Sequence, residues 1–168
     1  MKRIGIFGAT ECGKTTLAKS ISREYWRQEK RPSLILANFH DTWGSHAWLT
    51  VDAEKFDQAV WKRKDCLVIV EDASSTINRE KEFKKFFTCI RHQRHDLIVI
   101  GHDGTDLLRT MRQNLTEVFF FLQTPRSIEI WKQDLPSISG LDRATQLKRF
   151  EFVHAKNFET ARRMTLLT

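Results

Sequence analysis

The chain has 168 residues, 40% hydrophobic and 29% charged, which fits about one globular domain and excludes a disordered or low-complexity chain. Its three cysteines, Cys12, Cys66 and Cys89, are widely spaced and form no CxxC pair, which argues against a disulfide framework and a structural zinc site. The net charge of +7 is spread along the chain, so it permits nucleic-acid contact without specifying it; no window approaches the ~20 apolar residues of a membrane span, and the apolar run after Lys2-Arg3 is too short for an export signal.

Ile4-Gly5-Ile6-Phe7 is a short apolar run that stops at Gly8, the pattern of a buried strand. Residues 15–28 follow with helical spacing, Leu17, Ile21 and Tyr25 on one face, and Pro32 closes the region. Leu34-Ile35-Leu36-Ala37 reads as a second strand, residues 38–45 as a polar and aromatic loop, and residues 48–51 as a short edge strand. Asp52 is placed to cap a helix over 53–61. Leu67-Val68-Ile69-Val70 is the third buried strand and ends in Glu71-Asp72. A charged helix over 79–93 would carry Phe83, Phe86, Phe87 and Ile90 on one side. Leu97-Ile98-Val99-Ile100 is the fourth strand, residues 105–112 a short helix, and residues 118–122 the fifth strand. Pro125 and the 136–140 stretch punctuate the remainder, and residues 141–164 read as one or two basic helices. Apolar strands alternating with helices predict an α/β domain with a mostly parallel sheet covered on both faces. Residues 1–124 form its expected core and 125–168 a helical C-terminal extension of the same domain.

Gly8-Ala9-Thr10-Glu11-Cys12-Gly13-Lys14-Thr15 matches GxxxxGK[ST] at every fixed position, after a strand and opening a helix. The glycines let backbone N–H groups curl around phosphate oxygens, and the helix N-terminus adds partial positive charge. ATP is the expected ligand of the loop from Gly8 to Thr16, with Lys14 bridging the β- and γ-phosphates and the Thr15 hydroxyl on Mg²⁺. Such a loop needs a carboxylate at the tip of another strand for the metal and a base for the attacking water. Glu71 and Asp72 supply both, Glu71 by position taking the metal and Asp72 the base, although the reverse order also fits.

The segment Arg91-His92-Gln93-Arg94-His95-Asp96-Leu97-Ile98-Val99-Ile100-Gly101-His102 is a basic helix end running into a strand. It resembles the FtsK-HerA superfamily of DNA-pumping ATPases, in which an arginine opens such a stretch and a polar sensor, usually Gln, closes it. Arg91 stands at the arginine position, with Arg94 a second candidate, and His102 stands where the Gln would be. The motif order and short length look most like the genome-packaging ATPases of tailless, membrane-containing double-stranded DNA viruses; phage ATPases like the zonula occludens toxin share the pattern. The resemblance covers roughly residues 3–122. It implies a three-layer P-loop NTPase fold of the ASCE, RecA-like kind. It further implies ATP-driven translocation of double-stranded DNA by a homo-oligomeric ring, hexameric or pentameric, with Arg91 entering the neighbour's site. Such a ring would work at a viral capsid or portal vertex, in the cytoplasm of the infected cell or on the virion.

Other constellations carry less. The aromatic and histidine-rich stretch from Phe39 to Trp48 suits either stacking on nucleic acid or packing under a loop. His40, Asp41 and His46 form a weak metal candidate, and His92 and His95 read as surface groups. Cys12, inside the loop, offers an alkylation site. Arg126, Lys132, Arg143, Lys148, Arg149, Lys156, Arg162 and Arg163 give the C-terminal part a basic face for DNA, assembly or solvent. A small-molecule or nucleotide kinase is the main alternative, with Arg109, Arg112 and Arg126 as its lid. A GTPase switch lacks an NKxD motif, and a non-hydrolysing assembly subunit is the last reading.

Overall fold

A computed structural model of the chain describes residues 1–71 and 87–166. The chain order begins β1 (Arg3–Phe7), α1 (Lys14–Glu29), β2 (Ser33–Leu36), β3 (Ala47–Thr50), α2 (Ala53–Lys62) and β4 (Leu67–Val70). It continues with β5 (Asp96–Gly101), the helical turn α3 (Arg109–Arg112), β6 (Glu117–Phe120), α4 (Pro125–Asp134), β7 (Glu151–Lys156) and β8 (Arg162–Thr165). Among the described residues the eight strands make one sheet in the order β3-β2-β4-β5-β1-β6-β7-β8. Strands β1 to β6 are parallel, and β7 and β8 extend the sheet antiparallel.

The sheet divides its apolar residues between two cores by the period of two. Leu34, Leu36, Val68, Val70, Leu97 and Val99 face one side; Ile35, Leu67, Ile69, Ile98 and Ile100 face the other. Strands buried on both faces have no polar side to show, which is why these runs read as unbroken apolar stretches. α1 covers one face with Leu17, Ala18 and Tyr25. α2, through Phe56 and Val60, and α4, through Ile128 and Trp131, cover the other. The expected cap of α2 is present, the Asp52 carboxylate accepting the Glu54 and Lys55 N–H groups at 3.0 and 3.1 Å.

Three expectations need correction. Residues 141–164 are not helices: a 3₁₀ segment, Leu141–Gln146, leads into β7 and β8. The basic spacing suits the solvated face of a helix, but Phe152 points into one core and Val153 and Ala155 into the other. That period of two closes the otherwise open apolar edge of β6 through Val118↔Ala155 and Phe120↔Val153. The expected 105–112 helix is broken into a 3₁₀ turn, Gly104–Asp106, and α3, because Leu107 and Leu108 take extended backbone between them. His95 is fully buried, not a surface group; its Nδ1 accepts the Cys66 N–H and its Nε2–H donates to the Val60 carbonyl, both at 2.9 Å. Burial pushes its imidazole pKa down. His92 is exposed, as expected. Most of the expected 79–93 helix, with Phe83 and Phe86, lies outside the described residues, as does Asp72; the segment ends in a 3₁₀ turn at Ile90–Gln93.

Candidate active site

Phe7 at the end of β1 is level with Gly101 of β5 and Phe120 of β6. The chain therefore leaves the sheet at the carboxyl ends of its parallel strands, where open α/β sheets bind ligands. Gly8 and Gly13 hold φ of 155° and 109°, in the region that favours glycine. A Cβ at Gly8 would fall 2.5 Å from Cβ of Phe121, and one at Gly13 would fall 2.7 Å from Cδ1 of Leu166. Close approach to Phe121 thus demands glycine at position 8, and the left-handed backbone favours it at position 13.

α1 opens on Gly13 with no side-chain cap and no acidic residue in its first turn. The first N–H groups of this 16-residue helix face the loop, with the positive end of the dipole behind them. Lys14 Nζ donates to the carbonyls of Gly8 and Ala9 at 2.8 and 2.7 Å, arched over the loop it would serve. Ala9, Thr10, Glu11 and Thr16 are exposed, and Lys14 and Thr15 half-buried. Cys12 is the exception: its thiol is buried, with a pKa raised chiefly by burial against a smaller opposing pull from Lys14. Cys12 belongs to the loop by its backbone, and its side chain is a poor alkylation target.

A cleft of ≈ 270 Å³ brings this loop against the ends of three other strands. Thr10, Glu11, Lys14 and Thr15 line one wall; Glu71 after β4 and His102 after β5 line the other. Glu71 is 6% exposed, and its N–H is fixed by the Leu36 carbonyl at 2.9 Å. The Thr15 hydroxyl and the Glu71 carboxylate are hard oxygen donors on one cleft, a set that fits Mg²⁺. Asn38 and Phe39, beyond β2, also line the cleft, Phe39 with 61% of its surface exposed.

A polar network that sequence reasoning missed sets the backbone of His102. Asp106 Oδ2 accepts the N–H groups of His102 and Asp103 at 2.5 and 2.9 Å. Gln123 Nε2 donates to the His102 carbonyl at 3.4 Å, and Ser127 Oγ to Gln123 Oε1 at 2.7 Å. The D-x-x-D spacing of Asp103 and Asp106 was a readable capping signal; the reach to Gln123 and Ser127 was not.

Arg91 and Arg94 are not in this cleft. They lie before β5, at the opposite end of the sheet, where they line a second cavity of ≈ 410 Å³ with Arg31, Asp65 and Asp96. Arg94 is engaged with Asp65, and Arg31 with Asp96 at 2.7 Å. The Arg91 side chain is exposed and makes no ion pair or hydrogen bond among the described residues.

The weaker constellations disperse. Asp41 pairs with Lys19 at 2.5 Å and His46 Nε2 meets Ser22 Oγ at 2.9 Å, so the metal candidate His40, Asp41 and His46 does not converge. Among the described residues no group of three or more His, Cys, Asp or Glu is placed to hold a metal. Trp43 is buried and Lys19 lies over its ring, so that part of the aromatic stretch packs under the loop. Two of the three kinase-lid arginines are committed elsewhere: Arg109 and Arg112 pair with buried Asp134 at 2.9 and 2.6 Å, while Arg126 is exposed.

Among solved structures, the genome-packaging NTPase B204 of Sulfolobus turreted icosahedral virus 2, in complex with AMPPCP, matches with a TM-score of 0.77 at 13% identity, covering 99% of this chain and 98% of that one. The chain has the P-loop NTPase fold. B204 of Sulfolobus turreted icosahedral virus, a DNA-packaging ATPase, matches at TM-score 0.74 and 15% identity over 99% of this chain and 98% of that one. The N-terminal domain of zonular occludens toxin from Neisseria meningitidis matches at 0.54 and 19% identity, covering 74% and 78%. These neighbours share the P-loop NTPase fold expected from the sequence. No family model matches the sequence, and no curated protein matches it. Among the described residues no helix is long and apolar enough to cross a membrane.

Proposed function

We propose that this protein is an ATP-hydrolysing motor that drives double-stranded DNA into a viral capsid as a homo-oligomeric ring. The observation that carries the reading is the division of the site. Phosphate loop, Glu71 and His102 share one cleft, while Arg91 sits at the other end of the same sheet. The nucleotide would lie on the loop from Gly8 to Thr16, its phosphates held by backbone N–H groups and by Lys14 once Nζ leaves the Gly8 and Ala9 carbonyls. Thr15 and Glu71, with Asp72 alongside in sequence, would hold Mg²⁺, which when bound offsets the charge of the β- and γ-phosphates. Asp72 takes the proton of the attacking water, and His102 reports on the γ-phosphate position. Arg91 completes a neighbouring subunit's cleft. Residues 125–168 are read as part of the same domain as 1–124, a reading supported by β7 continuing the sheet on β6.

The full overlap with B204, described as a genome-packaging NTPase, supports the viral setting and, with it, the host cytoplasm or the packaging vertex as the place of work. The kinase alternative is not favoured, because Arg109 and Arg112 are tied to Asp134 and not free to close over an acceptor. Steady-state ATP hydrolysis across a protein concentration series, with and without duplex DNA, tests the proposal. Turnover per subunit that rises with both, and vanishes in Lys14→Ala, supports the motor. Weak hydrolysis that ignores both would return the reading to a monomeric kinase.

A further inference from the structure

The turn between β7 and β8 shows an aromatic ring to solvent for no structural reason. Phe158 is 88% exposed, the most exposed large apolar residue among those described, and its backbone sits in the left-handed region at φ 66°. The turn that carries it is braced on one side. Ser139 Oγ donates to Thr160 Oγ1 at 3.0 Å, the Ala161 N–H donates to the Ser139 carbonyl at 2.9 Å, and Arg143 Nη1 donates to the Ala161 carbonyl at 2.7 Å. The ring therefore projects from a fixed base.

Cations outnumber acids around the turn, with Glu159 in the turn itself and Glu117 opposite Lys156. Opposed residues on paired strands share a face, as do alternate residues along one strand. The pairing His154↔Arg162 therefore puts Arg162 and Lys156 on the same face, beside the turn. Both are exposed, and among the described residues neither makes an ion pair. Glu151 pairs with Arg163 and Glu117 with His154, each at 2.5 Å; Glu117 also faces Lys156 across the strand pair, and Glu159 lies in the turn. An exposed ring flanked by exposed cations has the chemistry of a wedge that enters a DNA groove while its neighbours hold phosphates.

Resting on the DNA-motor reading above, we propose that the β7–β8 hairpin is a duplex-DNA contact, with Phe158 in a groove and Lys156 and Arg162 on the backbone. The hairpin turn lies at the same sheet end as Arg91 but up to four strand positions away, roughly 15–19 Å, so DNA and a neighbouring subunit can be engaged together.

The test is equilibrium binding of a fluorescent duplex by the intact chain over a salt series, with sedimentation and thermal melting run in parallel. Phe158→Ala is expected to weaken binding roughly 5- to 100-fold at fixed salt and leave the salt dependence unchanged. Lys156→Gln and Arg162→Gln are each expected to lower the slope of log K against log salt by about 0.9. Melting temperatures should stay at the wild-type value, because all three side chains are exposed. Wild-type affinity and slope in all three variants would overturn the hairpin assignment and leave the motor reading standing. A changed oligomeric state without DNA would make a second copy of the chain the occupant and overturn it too. No duplex binding by the wild-type chain would sink the motor reading, and this inference with it.

Discussion

Replacement of Arg91 by alanine tests whether the site is built from two subunits. Arg91 precedes β5 and His102 follows it, so the six residues of that strand, at about 3.3 Å each, separate the guanidinium from its own cleft by roughly 17–20 Å. Nothing in the subunit's own fold brings it closer. If Arg91 serves hydrolysis, it serves a neighbour's. An arginine placed on the transferring phosphate adds about 10³–10⁵ in rate, or about 4–7 kcal/mol of barrier. Arg91→Ala should lose turnover on that scale and keep its affinity for a non-hydrolysable ATP analogue, measured by calorimetry. The decisive assay mixes Arg91→Ala with Lys14→Ala, each nearly inactive alone. In a closed head-to-tail ring, random mixing places an intact phosphate loop beside an intact Arg91 at roughly one interface in four. Recovery of about that fraction of wild-type turnover is expected. Full turnover in Arg91→Ala, or a mixture as inactive as its parts, would refute the trans assignment.

Asp106→Ala removes the acceptor of the His102 and Asp103 N–H groups, bonds to a charged group worth ~1.5–3 kcal/mol; kcat should fall about tenfold with KM for ATP little changed, and steady-state kinetics in which only KM moves would contradict it. His95→Ala strands the Cys66 N–H and the Val60 carbonyl in the core and should cost about 2–5 kcal/mol in denaturant unfolding. Because burial lowers the folded pKa of His95, the unfolded chain takes up this proton first: its contribution is complete above about pH 6.5 and is lost as pH falls from there through the folded pKa. That part of the pH dependence should be missing in His95→Gln. Asp134→Ala leaves the Arg112 guanidinium, 12% exposed, without its counter-charge and should cost about 3–5 kcal/mol in thermal unfolding. Arg109→Ala, at the 70% exposed partner of the same carboxylate, should cost under about 1 kcal/mol.

Local chemistry made most of the first 122 residues legible. Each buried parallel strand announced itself as an apolar run, Asp52 as a cap, and the loop from Gly8 to Thr15 as a fixed pattern whose glycines hold the φ values expected of them. The cleft partners Glu71 and His102 were readable because each directly follows an apolar strand, and parallel strands deliver their ends to one edge. His95 was misread because its surroundings in sequence are charged: Arg91, His92, Arg94 and Asp96. Its burial is decided by α2, whose Val60 carbonyl receives its proton from 35 residues away.

The C-terminal part was illegible for the same reason, and it bears on the cleft. Residues 141–164 carry no motif, and their basic spacing imitates a helix. Their strand character follows from a partner, the apolar edge of β6, that no local window contains. Once β7 and β8 are paired there, the segment returns to the phosphate loop. Arg149 Nε donates to the Glu11 carbonyl at 3.3 Å, and Phe150 and Leu166 stand where a Cβ on Gly13 would fall, at 3.0 and 2.7 Å. The loop's most recognisable glycine is therefore favoured by its own φ, which a local pattern predicts, and closely packed by side chains from the far end of the chain. The motif and the stretch without one pack together, so a change at Phe150 or Leu166 acts on the loop through packing at Gly13.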